Sequence, residues 1–97
     1  MDFADFKSSV GEDRKPLGLS PALEELWNDA RGDWSGAHEV VQKAGDESSA
    51  WVHAYLHRRE GDLPNARWWY RQADKPAATG SLDAEWNAIA RELLGEI

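Results

Sequence analysis

Two groups of side chains in this 97-residue chain have the types and spacing that site chemistry requires. The first is His53, His57 and Glu60. On a helix, steps of four and three residues return to one face, so two imidazoles and a carboxylate share one stripe. That is a face suited to a divalent metal or a small ligand. His38 would add a third nitrogen if its helix lies alongside. The competing structural reading makes these residues the rim of a buried helix, hydrogen-bonded to neighbouring carboxylates, and the sequence favours it: no glutamate stands between the histidines and no further ligand is fixed. The second group is Trp68 between Arg67 and Arg71, with Arg58 in the same basic stretch. A tryptophan flanked by arginines stacks on a ligand or holds an anionic peptide end through charge-assisted bonds. The competing reading packs Trp68 under the last helix, against Trp86, with the arginines paired to Asp83, Glu85 or Glu92. It is the favoured one, because a small domain seldom leaves a tryptophan uncovered.

No enzyme class is indicated. The chain has no Gly-rich phosphate loop, no G-x-S-x-G and no cysteine nucleophile. Its acidic pairs, Glu24-Glu25 and Asp46-Glu47, fall at helix starts, where carboxylates complement the macrodipole without catalytic work. No cofactor is expected.

The elements that must position these residues are helices. From Ala50 to Leu56 apolar residues wrap more than half the cylinder, which predicts a largely buried helix. Gly61 ends it, and Asp62 is expected to cap the next with its carboxylate. Pro64 sits in the first turn, where its missing N–H is harmless. Ala66, Trp69, Tyr70 and Ala73 then recur on one face. Upstream, Ser20-Pro21 starts a helix whose face is Leu23, Leu26, Trp27 and Ala30, ended by Gly32. Asp33 is placed to cap a further helix with Ala37, Val40, Val41 and Ala44 on its face, ended by Gly45. Downstream, Ser81 caps a last helix with Leu82, Trp86, Ile89, Ala90, Leu93 and Ile97. Residues 1–17 carry no sustained period and read as a flexible tail, with Phe3 and Phe6 as residues able to staple it to the body. No strand is predicted.

Composition sets the bounds. The net charge of −7 argues against whole-protein binding to nucleic acid. The charge is uneven: residues 18–50 carry a net −5, whereas residues 51–75 carry +2. No apolar run approaches the roughly 18 residues of a membrane span. The absence of cysteine excludes a disulfide framework and fits a reducing cytoplasm. Six tryptophans are many for this length, and the plain reading is that a small core needs large side chains.

A repeat organises the middle of the chain. Gly32-Asp33 and Gly61-Asp62 stand 29 residues apart. At that offset Ala37 falls on Ala66, Ala44 on Ala73, and Leu23, Leu26 and Trp27 on Val52, Tyr55 and Leu56. The pattern Gly61, Asp62, Ala66, Tyr70 and Ala73, with small Ala54 before it, resembles the second half of a tetratricopeptide repeat. The first unit departs from it, with Glu25 and Val41 where a small and an aromatic residue are usual, and the spacing is shorter than the family's roughly 34. The run Trp51-Val52-His53-Ala54-Tyr55-Leu56-His57 also resembles one in a small bacterial family, a likeness that implies no activity. The first resemblance implies helical hairpins that bind other proteins.

The expectation is therefore an all-α domain over 18–97: hairpin 20–45 and hairpin 48–74, antiparallel and stacked side by side, closed by a capping helix 81–96. Its expected role is a non-enzymatic interaction domain, with Trp68, Arg67, Arg71 and Arg58 as the partner-binding set. The partner is another protein or a second copy of the chain, with no nucleic acid and no membrane. The alternative is a small-ligand or divalent-metal site on His53, His57 and Glu60.

Overall fold

The computed structural model describes residues 1–33 and 46–95. Its described residues form five helices and no strand: α1 (Phe3–Gly11), α2 (Pro21–Ala30), α3 (Glu47–Glu60), α4 (Leu63–Gln72) and α5 (Leu82–Leu93). The expected second half of hairpin 20–45, with Ala37, His38, Val40, Val41 and Ala44, lies outside the described residues, as does Ile97.

Helix starts follow the sequence closely. Ser20, Asp46 and Ser81 each have extended backbone, and each side chain accepts from the amide three residues on. Each bond satisfies one of the amide donors that a helix start leaves open. Asp62 is an exception to the expected capping. Its ψ is 74°, its side chain makes no capping bond, and its Oδ2 accepts from Asn65 Nδ2 at 2.8 Å. The carboxylate takes the Asn65 side chain in place of the Asn65 amide, and Pro64, at the second helical position, has no N–H to offer as a substitute. The turn before it behaves as expected, with Gly61 at φ 85° ending α3. A Cβ built on Gly61 meets nothing within 4 Å, so its requirement for glycine is purely conformational.

The core is built around α3, whose Val52, Ala54, Tyr55 and Leu56 are all essentially inaccessible. One side packs against Leu23, Leu26 and Trp27 of α2, Trp86, Ile89 and Ala90 of α5, and Phe3 and Phe6. A smaller cluster joins Ala54 to Ala66 and Tyr70 of α4. The two alanines keep side-chain bulk out of that contact. Ala30, expected on the core face of α2, is exposed; Ala22 is buried in that helix instead.

The N-terminal segment corrects the reading of residues 1–17 as a tail. Asp2 caps α1 by accepting from the Asp5 amide at 2.8 Å. Phe6 is fully buried and stacks on Trp86 with ring centroids 5.7 Å apart, and Phe3 meets the same indole edge-on at 6.4 Å. Ser9 Oγ accepts from Trp27 Nε1 at 3.0 Å and donates to the Phe6 carbonyl at 2.6 Å. Arg31 donates to the Val10 carbonyl at 3.2 Å. A nine-residue helix is marginal in water; this one is held by two phenylalanines and two polar ties, which a search for sustained periodicity passes over.

Two outcomes test this fold. Phe6→Ala is expected to lower stability by about 3–5 kcal/mol, the cost of a large core truncation, whereas an effect near zero in urea unfolding would restore the flexible tail. Gly61→Ala is expected to cost about 1 kcal/mol or more because φ must stay positive, and an unchanged midpoint would contradict the left-handed turn.

Candidate functional site

The histidine stripe is not laid out as a ligand face. His53 is buried, 4% exposed, and sandwiched. Its ring stacks on Trp69 with centroids 3.9 Å apart and on His57 at 4.8 Å. Near-parallel stacked imidazoles do not converge their nitrogens on one ion, which tetrahedral coordination requires. His57 Nδ1 lies 3.8 Å from Glu60 Oε1 and 3.8 Å from Asp62 Oδ2, at the α3–α4 turn. Among the described residues no group of three or more His, Asp or Glu side chains could hold a metal ion. His38, the further nitrogen considered from sequence, lies outside the described residues. His53 is therefore a packing residue of the α3–α4 contact, and the polar stripe expected on α3 is covered by Trp69 at that point.

Trp68 departs from the favoured sequence reading in the other direction. It does not pack under α5; Trp86 is occupied by Phe3 and Phe6 instead. Trp68 is 46% exposed and touches Trp69 edge-on, with centroids 4.8 Å apart and planes at 87°. The helical period explains its position. Ala66, Tyr70 and Ala73 take the inner face of α4. Pro64 and Trp68, four apart, then form an outer apolar row, and Arg67 and Arg71, also four apart, form a basic row beside it. Trp68, Trp69, Pro64 and Arg71, with Asp62 and Asn65 at the start of the helix, line a shallow groove of about 530 Å³. Neither Arg67 nor Arg71 makes an ion pair or a side-chain hydrogen bond among the described residues.

Arg58 does not join this set. Its Nη1 donates to Glu85 Oε1 at 2.8 Å, and its Nη2 donates to the Gly80 carbonyl. Glu85 also accepts from the Tyr70 hydroxyl. Burial, and then the hydrogen bond to Glu85, raise the Tyr70 hydroxyl above its ordinary range. Arg58 thus ties α3 to α5 rather than facing a partner. The pairing of Trp68's neighbours with Asp83, Glu85 or Glu92 is replaced by Arg58–Glu85 and Lys75–Glu92, the latter at 3.0 Å.

Sequence reasoning also missed a second polar network. Asp29, 3% exposed, accepts at Oδ2 from Tyr55 Oη and from Arg59 Nη1, each at 3.1 Å. Burial raises the Asp29 carboxyl, and Arg59 and the Tyr55 hydroxyl counter the rise. Burial and the adjacent Asp29 raise the Tyr55 hydroxyl. This network lines a cleft of about 580 Å³ where α1, α2, α3 and α5 meet. The available signal was the position of Asp29, three residues after Leu26 on the buried side of α2.

Family models, curated proteins and solved structures provide no match to this chain, so the reading of its surface rests on its own geometry.

Glu25 is the most strained ionisable group. It is fully buried, and neither carboxyl oxygen has a hydrogen-bond partner among the described residues. Burial first, then repulsion from Asp46 and Glu24, pushes its carboxyl up to about 9. The folded state therefore holds this proton more tightly than the unfolded chain, and stability present below the ordinary carboxyl range is lost as pH rises towards 9, by up to about 1.4 kcal/mol per pH unit. Glu25→Gln is expected to be more stable than the parent at pH 8, with the margin shrinking towards zero near pH 4. Urea midpoints measured across that range decide it; parallel curves for the two proteins would contradict the assignment.

Proposed function

We propose that this chain is a non-enzymatic protein-interaction domain of tetratricopeptide-like form, whose contact surface is the outer face of α4. In this reading α3 and α4 are one antiparallel hairpin, residues 20–45 contribute the other, and α5 caps the stack. The observation that carries the proposal is Trp68, about half exposed on a basic helix face in an otherwise acidic chain. Tryptophan and arginine are the residues most often found at the energetic centre of an interface.

The chemistry of the face specifies the partner. Arg67 and Arg71 are one helical turn apart, a rise of about 6 Å. Alternate residues of an extended peptide lie about 6.6 Å apart on one side. A segment with carboxylates at two such positions and an apolar side chain beside them would meet the basic row and the Pro64–Trp68 row together. The rest of the chain repels such a segment, which confines it to α4. A cytoplasmic location belongs to the same proposal, since a chain without cysteine needs no oxidising compartment.

Selection of random displayed peptides on the intact protein tests the reading. Enriched peptides are expected to be acidic and to lose about thirtyfold or more in affinity on Trp68→Ala, the loss of a hot-spot anchor. That substitution is expected to change stability by less than about 0.5 kcal/mol, as for other surface positions. Enrichment that survives Trp68→Ala, or none at all, would remove this face from consideration. Concentration-dependent association lost on Trp68→Ala would replace the peptide with a second copy of the chain.

A further inference from the structure

We propose that the cleft between α1, α2, α3 and α5 binds a small zwitterion of amino-acid size, carrying one ammonium and one carboxylate. This site is separate from the α4 face and does not depend on it. Its volume of about 580 Å³ falls within the range of small-molecule pockets. Its floor is the buried carboxylate of Asp29. Both hydrogen bonds to that group, from Tyr55 and Arg59, land on Oδ2. Oδ1 accepts none among the described residues. A carboxylate oxygen in a residue only 3% exposed gains most from a charged donor.

The cationic half of the cleft is equally incomplete. Arg59 spends one N–H on Asp29, and its side chain is 47% exposed, which leaves further donors at the cleft mouth. Lys7 and Asp83 also line the cleft, and neither is ion-paired among the described residues. The lining therefore carries two carboxylates and two cations. A dication or a dianion would leave one pair opposed to it, whereas a zwitterion satisfies both: its ammonium meets Asp29 Oδ1 and Asp83, and its carboxylate meets Arg59 and Lys7. Trp86, 7% exposed and already stacked on Phe6, has little surface left for this space, so the ligand's apolar part must be small.

The test is an NMR titration of the full chain with each of the twenty common L-amino acids, followed at the Arg59 side chain and the Trp86 indole N–H. At least one is expected to give a saturable shift. Its carboxamide, which lacks the anion, and its deaminated acid, which lacks the cation, are each expected to bind about tenfold more weakly. Lys7→Gln and Asp83→Asn alter exposed groups that make no ion pair among the described residues; Lys7 Nζ lies 5.6 Å from the Phe3 ring centroid, so changes in the spectrum of the free protein should stay confined to that ring and its neighbours. Each is expected to weaken the best amino acid by about fivefold or more. No saturable shift from any amino acid would overturn the proposal. So would equal binding of the carboxamide or the deaminated acid, or affinity unchanged in both variants.

Discussion

The indole of Trp86 is the joint on which the described helices depend. It projects from α5, stacks on Phe6 of α1, meets Phe3 edge-on and donates its N–H to the Leu26 carbonyl of α2 at 2.9 Å. One side chain thus links three helices, each too short to be stable alone. All three then close over the buried face of α3. The polar end of the indole is satisfied inside the core, which makes a tryptophan tolerable there. Trp86 is thus occupied from the α1 side, while Trp68 stays about half exposed on α4.

Two buried acids extend the same logic to the polar groups. Glu85 gathers Arg58 and Tyr70, and Asp29 gathers Tyr55 and Arg59. Each acid takes one tyrosine hydroxyl and one arginine of consecutive α3 positions 58 and 59, so α3 is clamped to α5 on one side and α2 on the other. Breaking such a pair strands a buried charge, which costs far more than the pair's net contribution. The basic residues of the central segment therefore divide by role. Arg58 and Arg59 hold helices together, Lys75 bridges to Glu92 and lies over the Trp51 ring, and Arg67 and Arg71 remain facing outwards.

Much of the helical framework was legible because it is written in local chemistry. The starts at Ser20 and Ser81, the left-handed Gly61 and the small residues Ala54, Ala66 and Ala73 all appear where spacing and backbone preference put them. Local signals fail where a partner decides. Residues 3–11 look polar until Phe3 and Phe6 find Trp86. His53 looks like a surface imidazole until Trp69 covers it. Trp68 looks like a core residue because most tryptophans are, yet Trp86, its expected partner, packs on Phe3 and Phe6 of α1 instead. Asp62 looks like a helix cap until its carboxylate takes the Asn65 side chain instead of the free amide. The Asp29 network joins residues 26 and 30 positions apart, a separation that no periodicity reports.

Hydrogen exchange of the indole N–H groups, read as individually assigned NMR signals in the intact protein, tests the central claim most directly. Packing predicts strong protection for Trp86 and Trp27, whose N–H groups are buried and bonded to Leu26 and Ser9, and exchange near the unprotected rate for Trp68. Protection of Trp68 equal to that of Trp86, or rapid exchange of Trp86, would contradict both the core and the surface derived from it.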